Sequence, residues 1–339
     1  MFPFISVILP VRNEMAYIKH NLSAILEQDY PADRIEILIA DGMSTDNTRN
    51  IIMDFVAHYP QHQIYILDNP RKIVPTGMNM ALGKAKGEII VRVDGHTIIA
   101  PDYLRECVAT LSRTTADNVG GKMNAIGSNP LGKAVALATS SPFGIGGARF
   151  HYSDKEEWVD TVYMGAWPRK VFEEIGLFDE ELVRDQDDEF NYRLREHGGR
   201  ILLNPKIKSE YTVRSNPNSL WKQYFQYGYW KIRVLQKHPK QMSLRQFIPP
   251  AFAITLITSI TLLLSFSWGW IPFSLIAGSY IIANLLASII VSSNKGWKHL
   301  LRLPLVFAIL HLSYGSGFLI GLFKFWNRWG DKVGKVPTL

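Results

Sequence analysis

The first half of the chain alternates short apolar runs with segments of helical spacing. Unbroken apolar runs, rich in β-branched residues, predict strands at 4–9, 35–40, 63–67 and 88–93. Apolar positions at helical spacing predict helices at 15–28, 48–58, 77–85 and 102–112. Strands that are apolar throughout, alternating with helices, are typical of a mostly parallel sheet that is covered on both faces. The pattern therefore predicts an α/β fold.

The second half contains long apolar runs. The run 250–268 has no ionisable group and the run 271–292 is uncharged, and each is long enough to cross about 30 Å of hydrocarbon. A pair of buried core helices is the alternative for these two runs. The run 303–323 is weaker because it contains His311 and three glycines, two of which could let helices approach closely. We expect a membrane region at 249–323 with two to three helices, the third of which spans, re-enters or lies at the interface.

A mixed segment lies between the two halves. Residues 218–237 interleave large aromatic side chains with lysine and arginine, which suits a helix at the level of the lipid headgroups. The pattern therefore divides the chain into a first domain at 1–215, an amphipathic interfacial segment at 216–248, the membrane region at 249–323 and a basic tail at 324–339.

The net charge of +7 over 339 residues is distributed unevenly. Residues 1–204 carry 21 Lys and Arg against 28 Asp and Glu, whereas residues 205–248 carry nine basic residues against Glu210 alone. A basic segment beside apolar spans fits an anionic membrane surface, and we expect no nucleic-acid partner. By the positive-inside rule, this basic segment predicts that the first domain lies on the cytoplasmic side of the cell (inner) membrane. The apolar runs predict that the protein is multi-pass.

The same rule counts against a third crossing. If the third run crossed the bilayer, the basic tail would end outside, against the rule. The basic residues of this tail are Lys324, Arg328, Lys332 and Lys335. The single cysteine, Cys107, excludes a disulfide framework within the chain and a metal site built mainly from thiolates. One cysteine is compatible with a cytosolic setting for the first domain.

The segments that follow the predicted strands are polar and acidic. They are Pro10-Val11-Arg12-Asn13-Glu14, then the segment from Asp41 to Asp46, then Asp94-Gly95-His96. Ligands bind beyond the carboxyl ends of the strands in such sheets, so we expect one site rich in carboxylates. Turn and cap chemistry is the alternative, and we expect Asp46 to cap the helix that begins at Thr48. Glycine-rich dinucleotide motifs and Walker motifs are absent from the sequence, which disfavours an NAD-binding protein and a Walker-type nucleotide-binding protein.

These motifs resemble a known family. The series VILPVRNE, ADGMSTDNT and VRVDGH is similar to the inverting family 2 glycosyltransferases of GT-A (nucleotide-diphospho-sugar transferase) fold, over residues 4–205. The segments 69–79, 146–150 and 184–198 resemble the succinoglycan branch of that family, whose members build exopolysaccharide repeat units. The resemblance implies a GT-A catalytic domain at 1–215 and a hexosyltransferase activity.

The resemblance also implies roles for the strand-end residues. The nucleotide-sugar pocket would be lined by Pro10, Arg12, Glu14, Asp41 and Asp94. The metal-binding DxD motif of the family corresponds to Asp94 and His96, with histidine at its second position. The implied cofactor is a divalent metal, Mn²⁺ or Mg²⁺, and an imidazole ligand shifts the preference toward Mn²⁺.

The catalytic base is expected from the acidic run 185–189. Aligned with the family motif, Asp187 is the base and Gln186 replaces a glutamate. An acidic helix start is the alternative for Asp187 and for Asp188. On the acceptor side, Gln186 and Asp188 are candidates, and Trp167 could stack on a sugar or lie in the core.

Three functional hypotheses follow. The first is inverting transfer from a UDP-sugar, for example UDP-glucose, to a polyprenyl-diphosphate-linked saccharide, with polysaccharide-assembly proteins as partners. The second is a processive synthase, since Gln226–Trp230 resembles the QxxRW motif with Tyr229 in place of arginine. The third is an inactive membrane adaptor that binds nucleotide sugars, because His96 and Gln186 depart from the family pattern.

Overall fold

A computed structural model describes residues 2–329 and 336–339. The chain forms two compact units. The first comprises Met1–Asn124, Arg149–Tyr211 and Val333–Leu339, and the second comprises Ala125–Ala148 and Thr212–Lys332. The contiguous division expected from the sequence differs from this one, because residues 125–148 pack with the second unit. The tail bases Lys332 and Lys335 lie outside the described residues.

The first unit is built on one mixed sheet. Its strands are β1 Ile5–Val11, β2 Ile35–Asp41, β3 Gln63–Asp68, β4 Ile89–Arg92, β5 Thr97–Ile99, β6 Asn118–Ile126, β7 Glu157–Val159, β8 Tyr163–Pro168 and β9 Ile201–Thr212. Their order is β3-β2-β1-β4-β8-β6-β9-β5, and β7 also pairs with β9. The strands β1 to β4 are parallel, as predicted, and the sheet continues from β4 through antiparallel pairs.

Helices connect the strands and continue beyond them. They are α1 Ile18–Leu26, α2 Thr48–His58, α3 Val74–Leu82, α4 Tyr103–Arg113, α5 Pro130–Thr139, α6 Pro142–Ile145, α7 Lys170–Ile175, α8 Gln186–Glu196, α9 Pro217–Lys237, α10 Ile248–Ser265, α11 Trp270–Lys295 and α12 Leu303–Lys324. The predicted helix at 15–28 begins later, because Tyr17 and Ile18 first close a turn on the carbonyl of Glu14.

The core of the first unit lies on both faces of the sheet. Alternate residues of β1 point to opposite faces, so Val7 and Leu9 belong to one buried cluster and Ile8 to the other. All residues of β2 are buried, which explains why this strand is apolar apart from Glu36 and Asp41. The α/β class predicted from the pattern is confirmed.

The second unit contains α5, α6 and the helices from α9 onward. Among the described residues, three helices are long and apolar enough to cross a membrane: Leu244–Ser265, Trp270–Lys295 and Leu303–Lys324. The expected C-terminal helical region is therefore present, and its helices are long and apolar enough for a membrane. Residues 218–237, the aromatic and basic part of the amphipathic segment, lie in the single helix α9, which packs against α12.

Candidate functional site

The loops after β1, β2 and β4 lie side by side, because these strands are neighbours in the sheet. The strands are parallel, so their carboxyl ends share one edge. Val11 at the end of β1 pairs with Asp41 at the end of β2, and Arg92 ends β4. The three acidic loops found in the sequence thus meet at one edge of the first unit.

Hydrogen bonds join the first two loops. The side-chain oxygen of Asn13 accepts a hydrogen bond from the amide of Thr45 at 2.8 Å, and the Asn13 amide donates to Ser44 Oγ at 3.0 Å. The Glu14 amide donates to Thr48 Oγ1 at 2.8 Å. Asn13 has a φ of +56°, a conformation that non-glycine residues adopt rarely. These hydrogen bonds join the two loops into one surface.

Asp41 is enclosed in this surface. Its Oδ1 accepts hydrogen bonds from the amide and the hydroxyl of Ser44, and its Oδ2 lies 3.1 Å from Arg49 Nη1. The Arg49 guanidinium also contacts Asp68, and these two hydrogen bonds raise the pKa of Arg49. The Asp41 side chain is only 1% exposed, so it holds Ser44 and Arg49 in place.

Two other predicted pocket residues lie in the loop after β1. Pro10 is half-buried and pairs with Ala40 in the sheet. Arg12 is exposed, and its aliphatic stem covers Gly42, where an added Cβ would lie 3.1 Å from Arg12 Cβ. The guanidinium of Arg12 is therefore carried on an anchored stem at the edge of the site.

Glu14 and His96 face each other across the loops after β1 and β4. Their side chains are partly exposed, and His96 Nδ1 lies 3.2 Å from Glu14 Oε1. The ring of His96 also packs edge-on against Tyr211, with the ring centroids 5.3 Å apart. Glycine is required at position 95, because an added Cβ would lie 2.9 Å from Val11 Cγ1. Close packing of the two loops brings the imidazole beside the carboxylate.

Arg92 connects two of the predicted site residues. Its guanidinium binds Asp94 through Nε at 2.8 Å and Nη2 at 3.2 Å, and its Nη1 lies 3.8 Å from Asp187 Oδ2. Burial alone would lower the pKa of Arg92, but the charges of Asp94 and Asp187 outweigh it and raise that pKa. The buried cation therefore holds the carboxylates of β4 and α8 close to one centre.

The acidic run begins α8, whose first residue is Gln186. The preceding Asp185 has a φ of +60°, which turns the chain sharply into the helix. Asp187 and Asp188 lie in the first turn, where the helix dipole favours negative charge. The Asp187 side chain is 37% exposed, whereas Gln186 is buried and Asp188 accepts a hydrogen bond from Thr161.

The later residues of the acidic run and its trailing arginine fix the position of α8. Glu189 is fully buried and lies 2.9 Å from Arg193. The Arg193 guanidinium also donates hydrogen bonds to the backbone carbonyls of Ile175 and Leu177. Removal of either partner would leave a buried charge unpaired, which is costly. This pair fixes α8, and Asp187 is the acidic side chain of its first turn that reaches Arg92.

Comparison with known proteins places the chain in a family. The family model described as glycosyl transferase family 2 matches residues 6–176. That range contains the loops after β1, β2 and β4, and half of the chain. The chain belongs to glycosyl transferase family 2. The recognition made from the strand-end motifs is confirmed, and the protein is a glycosyltransferase.

Relatives cover the chain beyond the matched range. A family 2 relative from Methanococcus voltae, named dolichyl N-acetyl-alpha-D-glucosaminyl phosphate 3-beta-D-2,3-diacetamido-2,3-dideoxy-beta-D-glucuronosyltransferase, is 30% identical over 95% of this chain and 98% of its own length. The succinoglycan biosynthesis protein ExoA of Rhizobium meliloti (strain 1021) is 30% identical over 73% of this chain and 74% of its own length. The family 2 assignment thus extends into the second unit.

A solved structure has the same fold. A mannosyltransferase from Pyrobaculum calidifontis, in complex with GDP-Man and Mn²⁺, matches 96% of this chain and 88% of that chain with a TM-score of 0.65. Its sequence identity of 18% makes the likeness one of fold alone. The GT-A fold predicted for the first domain is confirmed.

The donor set suits a metal that binds together with a substrate. Among the residues that the structure describes, no group of three or more His, Cys, Asp or Glu side chains converges on one point. Both carboxylate oxygens of Asp94 accept a hydrogen bond from Arg92, and each keeps a lone pair for an ion. His96 Nδ1 faces Glu14, which leaves His96 Nε2 for an ion. One or two protein ligands completed by phosphate oxygens is a common arrangement for divalent ions.

Trp167 is a correction to the sequence interpretation. It lies in β8 with 2% of its surface exposed, and the rings of Phe172, Phe178 and Phe190 pack edge-on against it. Both faces of the indole are covered by the core, so it cannot stack on an acceptor sugar. The aromatic cluster explains its burial, since four rings that pack together bury a large apolar area.

The sequence interpretation missed Arg92 and Arg49 as part of the site. Both arginines occur beside recognised motifs, but their importance comes from carboxylates that are distant in the chain. The register of β4 and the position of α8 bring Arg92 to Asp187, and no local spacing indicates that contact. Arg49 is easier to find from the sequence, because it follows Asp41 closely in the chain and lies in the first turn of α2.

Proposed function

We propose that this family 2 glycosyltransferase transfers a sugar from a UDP-sugar to a polyprenyl-diphosphate-linked saccharide, with inversion at the anomeric carbon. The observation that carries the proposal is the convergence of Asp94 and Asp187 on the buried Arg92. A nucleotide-sugar transferase needs a cation at the leaving diphosphate, which carboxylates can hold, and a base at the attacking hydroxyl. The closeness of Asp94 and Asp187 to Arg92 supports these two roles.

The donor would bind over the joined loops after β1 and β2. Glu14 can accept hydrogen bonds from ribose hydroxyls, and the exposed Arg12 can pair with a phosphate. Asp41 would act on the nucleotide through Ser44 and Arg49, which it orients. Pro10 would shape the floor of this pocket. These roles rest on the positions of the residues and on the family resemblance.

The residues proposed to hold a divalent metal are Asp94 and His96. When bound, Mn²⁺ or Mg²⁺ would neutralise the diphosphate charge and help the leaving group depart. Arg92 keeps the Asp94 carboxylate oriented with two hydrogen bonds. A histidine ligand favours Mn²⁺ over Mg²⁺, since Mg²⁺ prefers oxygen ligands.

Asp187 is proposed as the base that removes the proton of the attacking hydroxyl. Its side chain is more open than that of Asp94, so an acceptor can reach it. A base on the side opposite the leaving diphosphate would produce direct displacement, and an α-linked donor would then give a β-linked product. Gln186 is buried and Asp188 accepts from Thr161, so we propose supporting roles on the acceptor side for these two.

The proposal of a lipid-linked acceptor has two supports. The Methanococcus voltae relative is named for a dolichyl-linked substrate, and ExoA is named for succinoglycan biosynthesis. The second unit carries helices long and apolar enough for a membrane. We propose a multi-pass protein of the cell (inner) membrane with the first unit in the cytoplasm, acting with polysaccharide-assembly proteins.

The experiment is product analysis with isolated membranes that contain the full chain. Membranes would receive UDP-glucose, other UDP-sugars or GDP-mannose together with Mn²⁺ and a polyprenyl-diphosphate-linked saccharide, and the lipid extract would be analysed by mass spectrometry. We expect one added hexose from a UDP-sugar. A polymer would support the processive alternative, no product with any donor would support the adaptor, and transfer from GDP-mannose alone would overturn the choice of nucleotide.

A further inference from the structure

The last described residues belong to the first unit. Residues 336–339 pack there: the Leu177 amide donates a hydrogen bond to the carbonyl of Pro337 at 2.8 Å, and an added Cβ at Gly176 would lie 3.0 Å from Val336 Cγ1. A folded water-soluble unit lies on one side of a membrane. The chain therefore leaves the catalytic side before α10 and is back on that side at Val336.

This return limits the number of crossings. Three crossings by α10, α11 and α12 would place Val336 on the opposite side from the first unit. The chain from Trp329 to Val336 spans at most about 25 Å when fully extended, which is shorter than the roughly 30 Å of hydrocarbon. The end of α12 must therefore lie on the catalytic side, and the three apolar helices make an even number of crossings.

The packing of α12 identifies the helix that does not cross. It runs parallel to α9 in close backbone contact, since an added Cβ at Gly317 would lie 2.1 Å from the carbonyl oxygen of Phe225 and one at Gly321 would lie 2.5 Å from that of Tyr229. The helix α9 carries Lys222, Lys231, Arg233 and Lys237 and is too charged to span. Helices in such contact lie at one depth.

The other two apolar helices differ from α12. Half of the apolar window of α12 is buried within the structure, against 17% for Leu244–Ser265 and 11% for Trp270–Lys295. The helix α10 packs against α12 near its own start, at Pro249 and Ala253. The remaining length of α10 and α11 exposes leucine and isoleucine side chains, which suits contact with lipid chains.

We propose that α10 and α11 are the crossing hairpin, and that α9 and α12 form a helical pair lying on the membrane surface on the catalytic side. The pair presents Trp326 and Trp329, both half or more exposed, at the headgroup level, where tryptophan is favoured. Lys324 and Arg328 then lie on the same side as Lys295, which removes the conflict with the positive-inside rule.

The test is labelling of single cysteines with a membrane-impermeant maleimide in sealed vesicles of known orientation. Native Cys107 is fully buried and serves as the unlabelled background. The variants are Ser267→Cys in the turn between α10 and α11, Ser293→Cys near the end of α11, and Thr338→Cys in the last described segment; all three positions are exposed. Each variant must keep glycosyl transfer in the same membranes, which shows that it folds.

We expect Ser293→Cys and Thr338→Cys to be labelled in the same vesicle orientation, and Ser267→Cys in the opposite one. Labelling of Thr338→Cys together with Ser267→Cys would show that α12 crosses and would overturn the proposal. Labelling of all three in one orientation would show that the α10–α11 hairpin does not cross, and would overturn it equally.

Discussion

Arg92 is the residue on which the site geometry depends. Its planar guanidinium holds Asp94 through two hydrogen bonds and reaches Asp187 with the third nitrogen. A lysine keeps the charge but cannot reproduce this fork. The two carboxylates would then lose their fixed separation while the buried cation remains.

We therefore expect Arg92→Lys to lower kcat by about 100-fold, because small misplacements of reacting groups have effects of that size. The measurement is steady-state glycosyl transfer alongside thermal unfolding. The matched control is Arg113→Lys, at an exposed arginine that pairs with Glu156. Equal activity of the two variants would remove Arg92 from the site.

We propose that His96 sets the choice of metal. Its imidazole would supply the nitrogen ligand and Asp94 the oxygen ligand, so His96→Asp would create an all-oxygen pair. We expect this variant to raise the ratio of Mg²⁺-supported to Mn²⁺-supported turnover, and His96→Ala to lose most of the metal-dependent turnover. Titration of both metals at saturating donor measures this, and turnover unchanged across the Mn²⁺ titration in His96→Ala would contradict the role.

The N-terminus of α2 is capped by Asp46 and not by Asn47, the residue directly before the helix. Asp46 Oδ1 accepts from the Thr48 amide at 3.0 Å, whereas the side chain of Asn47 makes no cap hydrogen bond. Desolvation is the largest single effect and opposes ionisation, but the hydrogen bonds from Thr48 and Met15 together outweigh it and lower the pKa of Asp46. The capping role predicted from the sequence is confirmed.

A lowered pKa in the folded state means that the Asp46 contribution is complete above the ordinary value of 3.8 and is lost as the pH falls below it. Asp46→Ala should lower Tm at pH 7 by about 2–4 °C, since a cap contributes about 1 kcal/mol. The difference from the parent should shrink as the pH approaches 3. Thermal unfolding in detergent measures it, with Asn47→Ala as the control; a difference that does not depend on pH would contradict this account.

The contact between α9 and α12 depends on glycine. An added methyl at position 317 would lie 2.1 Å from a backbone oxygen of α9, which cannot move without shifting the helix. At Gly278 on α11, no atom lies within 4 Å of an added Cβ. The two positions are both helical glycines in apolar surroundings, and they differ in that one contact.

Gly317→Ala should therefore destabilise the protein by about 1–3 kcal/mol, the usual range for overpacking, and Gly278→Ala should leave its stability unchanged or slightly higher. Thermal unfolding of both variants in the same detergent compares them directly. A Gly317→Ala variant as stable as Gly278→Ala would mean that the two helices are not in close contact.

At the scale of the whole molecule, the sequence predicted the elements better than their assembly. The helix 48–58 and the strands β1 to β4 follow from local periodicity, and the strand-end rule located the site. The antiparallel half of the sheet was not predicted, because pairs such as β8 with β4 join residues about 75 positions apart in the chain. The same distance in sequence hid the contact of Arg92 with Asp187 and the packing around Trp167.

The division into units was also beyond local patterns. Residues 125–148 carry no composition change that separates them from the first domain, yet α5 and α6 pack against α12. His311 in α12 contacts the carbonyl of Phe143 at 2.8 Å, and the rings of Phe143 and Phe307 pack edge-on. Long-range packing decides that residues 125–148 belong to the second unit, and the periodicity within a segment does not indicate such packing.

The most direct test of the whole account is the turnover of Asp187→Asn. The variant keeps the shape of the side chain and removes its ability to take a proton. We predict a loss of kcat of about 10²–10⁴-fold with unchanged binding of the nucleotide, while the control Asp154→Asn, at an exposed aspartate paired with Lys122, keeps full activity. Near-normal glycosylation of the acceptor by Asp187→Asn would contradict the account.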